Sequence, residues 1–493
     1  MLRPVICGLV ALCLSAPCAV AATGDRPIQI EPFTLKTFDG QEHPAELGKI
    51  SVPENRQSKS ARSIQVAFVR LPHRGPQAGT AVFFLPPGPG IPATVLGRVP
   101  PYFRLLDKLR DTGDVLLLDI RGEGMSSPNL DQCPPTTAVS LRAFESFQSF
   151  VKQVAASVSN CAKFWRAKGV DLSAYNNREI VEDIEELRLA LGYPRISLLG
   201  FSAGTDLGME MIRQHGEVIE RAVFAAVGAA ELRPSLPSTY DQQLAKIALW
   251  YRMERPENAD LLALFDETAK VLDAHPVMLT LREAKDGREV QVRAGAVALK
   301  VVVTDLLNGS VSLLPALLTS LRDHDYSLFQ ILVQKSFTGF QGSMTLIGRT
   351  IDCSAPMPAE RVARVQQEAQ VSRLSNVRNI HLEPAVCRAA VGTARGTEPN
   401  RQALFSPVPT LFISGSMDAN TPPFNAETLL WGFPNGTHLI VRNGFHETLP
   451  APPVQSAVID FFNGQSVGER KLSFDRPQFL TLEDARTAVQ RAR

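Results

Sequence analysis

A serine that could act as a nucleophile lies in the stretch Gly200-Phe201-Ser202-Ala203-Gly204. The apolar run Ile196–Leu199 leads into it, and a helical pattern follows it. Gly-x-Ser-x-Gly between a strand and a helix is the sequence form of a nucleophile elbow, a sharp turn that exposes the serine hydroxyl at the end of the strand. The helix N-terminus behind the serine offers free N–H groups, which favour an oxyanion. The sequence therefore predicts that Ser202 is a nucleophile.

A serine nucleophile needs a base, and the base needs an acid that orients it. On proteins with this elbow the acid and then the histidine follow the serine along the chain. Asp418 follows the apolar run Val408–Ile413, and His446 follows the run His438–Val441. If both runs are parallel strands, both residues lie at the same sheet edge as the elbow. We expect Asp418 to fix the imidazole tautomer and His446 to carry the serine proton to the leaving group.

Each of these residues also has an ordinary interpretation. An aspartate in a loop rich in glycine and proline is usually a turn residue, and only the ordered set on predicted strand ends favours catalysis. His438 is the competing base, but its place within a predicted strand indicates a packed or surface residue. His446-Glu447 superficially begins a zincin motif, yet Pro450 stands where the second histidine is needed. We therefore expect no metal and no cofactor.

The oxyanion is expected to bind two backbone N–H groups. One belongs to Ala203, and the other comes from the loop Pro86–Gly90, which ends the apolar run Thr80–Leu85. Proline has no N–H, so Gly88 is the best donor in this loop and Gly90 the second. The alternative is that the loop is only a rigid turn.

The elements that must position these residues follow an α/β rhythm. Short apolar runs bounded by glycine and proline are typical of parallel strands covered on both faces. They alternate with helical patterns in residues 23–230 and again in residues 403–493, whose last 25 or so residues form a polar extension. Residues 231–402 show helical patterns and no comparable buried strand. The sequence therefore predicts a doubly wound, mostly parallel sheet with an inserted, mostly helical cap.

The first residues are typical of a secretory signal. Arg3 supplies a positive charge, Val5–Leu14 an apolar run, and Ala19-Val20-Ala21 a cleavage site, so we assign Met1–Ala22 to a signal peptide. This apolar run is too short to span a membrane. We expect an exported protein, periplasmic or secreted, without stable membrane insertion. The net charge of +1 gives no support for binding to nucleic acid.

Four cysteines remain after the predicted signal peptide: Cys133, Cys161, Cys353 and Cys387. An even number in an exported protein predicts two disulfides. Three pairings are possible, and the clustering along the chain favours Cys133–Cys161 and Cys353–Cys387. Zinc is the alternative, but the sequence has no Cys-x-x-Cys and no close set of cysteine and histidine.

Several segments together resemble the tripeptidyl-aminopeptidase and proline-iminopeptidase branch of the α/β hydrolases. They are the loop Pro86–Gly90, the loop Asp119–Ser126, Gly169–Tyr175, the predicted helix 179–191, the elbow Gly200–Thr205, Ile351–Cys353 in the insertion, Ser414–Pro423 and Gly444–His446. The resemblance implies an α/β-hydrolase fold with a helical cap. It also implies a serine hydrolase, often an exopeptidase that releases residues from peptide N-termini.

The sequence departs from this family beside the elbow. Pro87 and Ile91 replace glycines that are usual there, and Ala203 replaces the usual tyrosine or tryptophan. These positions would line the acyl pocket, so they affect the choice of substrate. An exopeptidase also needs a carboxylate for the free α-amino group, and no cap residue is singled out. We interpret Asp119 and Arg121 as an ion pair that braces the loops.

We therefore predict a serine hydrolase that works through an acyl-enzyme, as an aminopeptidase on short peptides. The alternative is a carboxylesterase or amidase that uses the same triad on small esters. A third hypothesis is a non-catalytic binding protein on this fold. The sequence leaves the oligomeric state open.

Overall fold

The computed structural model describes residues 28–491 except 60–61, 76–78, 135–138, 259, 284–285, 344, 356 and 393–402. The predicted signal peptide, Met1–Ala22, lies outside the described residues. Within them, no helix is long and apolar enough to cross a membrane.

A ten-stranded sheet forms the centre of the molecule, in the order β1-β2-β3-β5-β4-β6-β7-β10-β11-β12. In this order the first four strands, β1, β2, β3 and β5, pair antiparallel with one another. The pairs from β5 through β4, β6, β7, β10 and β11 to β12 are parallel. The mostly parallel sheet that the sequence predicts is confirmed. The strands are β1 Ile28–Lys36, β2 Glu42–Pro53, β3 Ser63–Leu71, β4 Ala81–Leu85, β5 Val115–Asp119, β6 Ile196–Phe201, β7 Ile219–Ala225, β10 Thr410–Gly415, β11 Gly436–Arg442 and β12 Leu472–Ser473.

The central strands are apolar along their whole length because helices cover both faces of the sheet. Successive residues of β4 enter different cores: Val82 and Phe84 pack on one face, Phe83 and Leu85 on the other. The helices outside the insertion are α1 Ala93–Leu96, α2 Pro100–Leu109, α3 Phe147–Ala167, α4 Asn177–Ala190, α5 Ala203–His215, α14 Pro423–Leu430 and α15 Pro452–Phe462.

The insertion between β7 and β10 is mostly helical. Its helices are α6 Pro237–Glu254, α7 Leu261–Ala274, α8 Ala296–Leu306, α9 Leu314–Arg322, α10 Ser327–Ser343, α11 Leu346–Ser354, α12 Ala359–Val371 and α13 Pro384–Val391. It also contains a hairpin that the sequence analysis missed, β8 Val277–Arg282 and β9 Glu289–Ala294. Leu279 and Leu281 are buried while Met278, the residue before Leu279, is 60% exposed, so these strands are only half-buried and lack the all-apolar pattern of the central sheet.

The polar C-terminal extension packs on the insertion. Its helix α16, Leu482–Arg491, contacts α9 and α10. The Leu480 amide donates to the Ser312 carbonyl, and the Arg486 side chain donates to the Ser327 hydroxyl. The extension therefore ties the C-terminal part of the chain to the helical insertion.

Both predicted disulfides are confirmed. Cys133–Cys161 joins the loop after β5 to α3, with 5.4 Å between the Cα atoms. Cys353–Cys387 joins α11 to α13, with 5.2 Å between the Cα atoms. Disulfides are typical of proteins that fold in an oxidising compartment.

The predicted ion pair between Asp119 and Arg121 is wrong. The Asp119 carboxylate accepts hydrogen bonds from Thr94 and from the Met125 amide. The fully buried Arg121 donates from Nε and Nη2 to the two carboxylate oxygens of Asp183 on α4, at 2.7 and 2.6 Å. Each residue therefore braces its loop through a different partner.

Replacing Arg121 should destabilise the fold. In Arg121→Gln the buried Asp183 loses its bidentate partner, and we expect the free energy of unfolding to fall by about 3 kcal/mol. Arg373→Gln, which breaks a solvent-exposed pair with Asp266, is the control and should change it by less than about 1 kcal/mol. Urea unfolding of both variants measures the difference, and equal values would contradict the structural role of Arg121.

Candidate active site

Ser202 occupies the sharp turn between β6 and α5. Its φ of +53° and ψ of −116° are unusual for a residue with a side chain. The flanking glycines make this turn possible because there is no room for a Cβ atom on either: it would lie 2.1 Å from the Leu85 carbonyl oxygen at Gly204 and 2.9 Å from the Gly204 carbonyl oxygen at Gly200. The turn therefore has the backbone geometry expected of the predicted nucleophile elbow.

His446 lies between Ser202 and Asp418. Its Nε2 is 3.1 Å from the Ser202 Oγ, and its Nδ1 is 2.9 Å from the Asp418 Oδ2. An ionised carboxylate only accepts hydrogen bonds, so Nδ1 carries the proton and Nε2 is left to accept from the serine. The structure thus brings together the three residues predicted as nucleophile, base and acid, in the arrangement of a serine triad.

Hydrogen bonds keep Asp418 in the charged form. Burial alone raises the pKa of this carboxyl, but His446, the Thr421 hydroxyl and the Thr421 amide outweigh it, and the net pKa lies below the ordinary value. The Asn420 and Thr421 amides donate to Oδ1 at 2.8 and 2.9 Å. The carboxylate is therefore held rigidly against the imidazole.

Thr421 is a site residue that the sequence analysis missed. Its Oγ1 is 2.5 Å from the Asp418 Oδ2 and 3.1 Å from the His446 Nδ1, so it touches both. It follows Asp418 by three residues in a turn, where a threonine is unremarkable in sequence. The competing base His438 lies within β11 instead, where its Nε2 is 3.0 Å from the Ser414 Oγ.

The loop Pro86–Gly90 lies beside the elbow because β4 and β6 are neighbouring parallel strands, with Leu85 opposite Gly200. Gly88 has a φ of +129°, a value that residues with a side chain rarely adopt. Ala203 is the first residue of α5, so its N–H has no partner within the helix. Gly88, Ala203 and Ser202 all line the same cavity.

This cavity has a volume of about 620 Å³ and separates the sheet edge from the helical insertion. Loops from the sheet form its floor, and residues of α8, α10, α11 and the segment 377–382 form its roof. The charged and titratable side chains that line it, apart from His446, are Arg233, Asp305, Lys335, Arg349, Asp352, Arg378, His381 and Glu447.

The two cap carboxylates of the cavity differ in their surroundings. Asp352 is 4% exposed at its side chain and forms ion pairs with Arg233 and Arg349. Asp305, on α8, is exposed to the cavity. The walls of the cavity partly desolvate this carboxylate, and this desolvation raises the pKa of Asp305 to about 6 against the opposing effects of Ser336 and Arg378. Asp305 is therefore the cap carboxylate that a ligand can reach.

Within the described residues, no group of three or more histidine, cysteine, aspartate and glutamate side chains is placed to hold a metal ion. The cavity is instead lined by the triad, the glycine loop and the charged cap residues.

Adding a methyl group at Gly204 should disrupt the elbow. In Gly204→Ala the new Cβ would meet the Leu85 backbone, which cannot give way as a side chain can, so we expect less stable protein and little reactive Ser202. The control is Gly216→Ala at the end of α5, where the nearest atom is 3.8 Å away. Thermal unfolding and labelling by a fluorophosphonate probe measure both effects, and full labelling of Gly204→Ala would contradict this account of the turn.

Comparisons with known proteins agree with the topology. A family model described as alpha/beta hydrolase fold matches residues 81–270, and a second one, described as TAP-like protein, matches residues 377–471. The Escherichia coli K12 protein YuaR, whose name describes it as a hydrolase, is 25% identical over 168 residues, which are 33% of this chain and 31% of YuaR. The match thus spans about a third of the length of that relative.

Solved structures that match this chain include the α/β hydrolase MGS-M2 from a Medee basin deep-sea metagenome library and an esterase from Thermogutta terrifontis. The first is 14% identical with a TM-score of 0.38, covering 83% of this chain and 98% of its own. The second is 14% identical with a TM-score of 0.33, covering 88% of this chain and 98% of its own. At such scores they carry no weight in the assignment, which rests on the two family models and the sheet topology. The chain therefore belongs to the α/β hydrolases, with a C-terminal region of the TAP-like type.

Proposed function

We propose that this hydrolase is an exported serine aminopeptidase that releases residues from the N-terminus of short peptides through an acyl-enzyme. The observation that carries the serine mechanism is the continuous chain of contacts from the Ser202 hydroxyl through His446 to Asp418. Export is supported by the two disulfides, which form and persist in oxidising compartments.

In the proposed reaction the His446 Nε2 takes the proton from the Ser202 Oγ as this oxygen attacks the carbonyl carbon. The carbonyl oxygen becomes an oxyanion, which accepts hydrogen bonds from the Gly88 and Ala203 amides. His446 then protonates the leaving nitrogen, and the C–N bond breaks to leave an ester on Ser202. A water molecule, deprotonated by His446, hydrolyses this ester, and Asp418 stays ionised throughout.

Two features of the cavity support an exopeptidase. A volume of about 620 Å³ under a cap suits a small ligand and excludes a folded protein. Asp305 supplies the carboxylate that a free α-amino group needs, since it is exposed in the cavity and negatively charged at neutral pH. We assign Asp305 to binding of the substrate ammonium group.

The residues beside the elbow favour a second candidate, a carboxylesterase or amidase. Pro87, Ile91 and Ala203 line the cavity next to Ser202 and give this part of it an apolar character. A panel of free-amine peptides, N-blocked peptides and simple esters separates the candidates. Turnover of esters alone would keep the triad and discard the peptidase. Failure of Ser202 to react with a fluorophosphonate would instead favour a non-catalytic binding protein.

Triad variants should lose activity without unfolding. We expect kcat to fall on the order of 10⁶-fold in Ser202→Ala, which lacks the nucleophile, and on the order of 10⁴-fold in Asp418→Asn, which favours the wrong tautomer of His446. The control is His438→Gln, which removes the competing histidine and should keep kcat within about threefold. Steady-state kinetics with circular dichroism of each variant tests this, and an active Ser202→Ala would sink the mechanism.

Asp305→Asn tests the ammonium site. We expect the KM for free-amine peptides to rise about tenfold while N-blocked and ester substrates are unaffected, because only the former pair with the carboxylate. In the wild type this carboxylate is protonated below about pH 6, so the KM for free-amine peptides should rise as the pH falls through that value. Asp266→Asn, on the outer surface of α7, is the control. Equal effects on free and blocked substrates would remove Asp305 from the site.

A further inference from the structure

Three arginines gather in one wall of the cavity. Arg233 and Arg378 are partly accessible, while Arg349, on α11, is 4% exposed. All three line the cavity, together with the ring of His381. We call these three arginines the arginine wall.

The arginine wall carries three positive charges, and among the described residues two carboxylates form direct ion pairs with it. Asp352 forms ion pairs with both Arg233 and Arg349, and the Asp206 Oδ2 lies 3.5 Å from the Arg233 Nη2. Among the described residues, Nε and Nη1 of Arg349 have no hydrogen-bond partner although both atoms are buried. A buried cation without full compensation is costly, and a nearby anion would lower that cost.

The arginines of the wall also affect the pKa values of His381 and of Arg349. Burial lowers the pKa of His381 well below its usual value, and the charges of Arg349, Arg378 and Arg233 lower it further. Burial likewise lowers the pKa of Arg349, and although Asp352 opposes this, Arg233 and Arg378 add to it. His381 is therefore neutral, and it leaves the excess charge in place.

The arginine wall borders the reaction centre on two sides. Arg233 and Ala203 line one small space behind the loop Pro86–Gly90. Arg378 donates from Nε and Nη2 to the Asn420 side chain, two residues after Asp418. A ligand group held at the wall is thus close to the bond that Ser202 attacks.

We propose that the arginine wall binds a carboxylate of the substrate, with Arg233 and Arg378 in contact and Arg349 supplying charge behind them. This deepens the proposed function and rests on it, because it specifies short peptides that carry a negative as well as a positive group. Asp305 would take the ammonium group, and the wall a carboxylate. That carboxylate belongs either to the peptide C-terminus or to an acidic side chain.

Binding to the full mature chain carrying Ser202→Ala tests this without any reaction. Calorimetry measures Kd for Ala-Ala-Ala, for its C-terminal amide, and for Ala-Glu-Ala amide. We expect the free acid to bind at least about tenfold more tightly than the amide if the C-terminus is the ligand. If an acidic side chain is the ligand, we expect Ala-Glu-Ala amide to bind at least about tenfold more tightly than the amide of Ala-Ala-Ala. Equal Kd values for all three peptides would overturn the proposal.

In the chain that carries Ser202→Ala, the further substitution Arg349→Met should abolish the tighter binding of the peptide that carries the carboxylate, since methionine fills similar space without charge. Lys335→Met, which removes another cation of the same cavity, is the matched control and should preserve it. Arg233→Met, at a partly accessible position, replaces the first variant if that one does not fold. Loss of the preference in Lys335→Met but not at either arginine would also overturn the proposal. Fluorophosphonate labelling of the wild type tests the proposed function separately, so the two can fail independently.

Discussion

The candidate site depends on a backbone contact between two parallel strands and the helix that follows one of them. Gly204 lies so close to the Leu85 carbonyl that no side chain fits between them. This contact places the first turn of α5 against the end of β4, and therefore Ala203 beside the loop that contains Gly88. Ser202, at the start of the same turn, has a positive φ, and its hydroxyl lies 3.1 Å from the His446 Nε2. The predicted nucleophile Ser202 and both predicted oxyanion donors are thus positioned by one feature.

The sequence predicted this part of the molecule because its information is local. An apolar run followed by Gly-x-Ser-x-Gly constrains the turn by sterics alone, and parallel strands bring their C-terminal ends to one edge. Asp418 and His446 follow such runs, so strand order was enough to bring them together with Ser202. Their distances to each other could not be predicted, but their common edge could.

The parts that the sequence did not reveal depend on long-range partners. The sequence pattern pairs Arg121 with Asp119, two residues away, whereas its partner Asp183 lies 62 residues away on α4. Arg233 and Asp352, which form an ion pair in the cavity, are separated by 119 residues. No periodicity marks such pairs, because each residue alone looks like an ordinary charged side chain of a helix or loop. The hairpin β8–β9 was missed for a related reason, since a half-buried strand alternates and gives a weaker pattern than an all-apolar one.

The position of α11 explains how charged cap residues can act on a site built on the sheet. At its first turn Gly348 packs against the Pro89 carbonyl, and Gly90 packs against the preceding Thr345, so the helix begins on the glycine loop. At its last turn the disulfide from Cys353 fixes it to α13. Arg349 and Asp352 lie between these two anchors, one turn apart. A helix held at both ends cannot slide, so the charges it carries keep a constant position relative to Ser202. The disulfide therefore serves the geometry of the cavity as well as the stability of the cap.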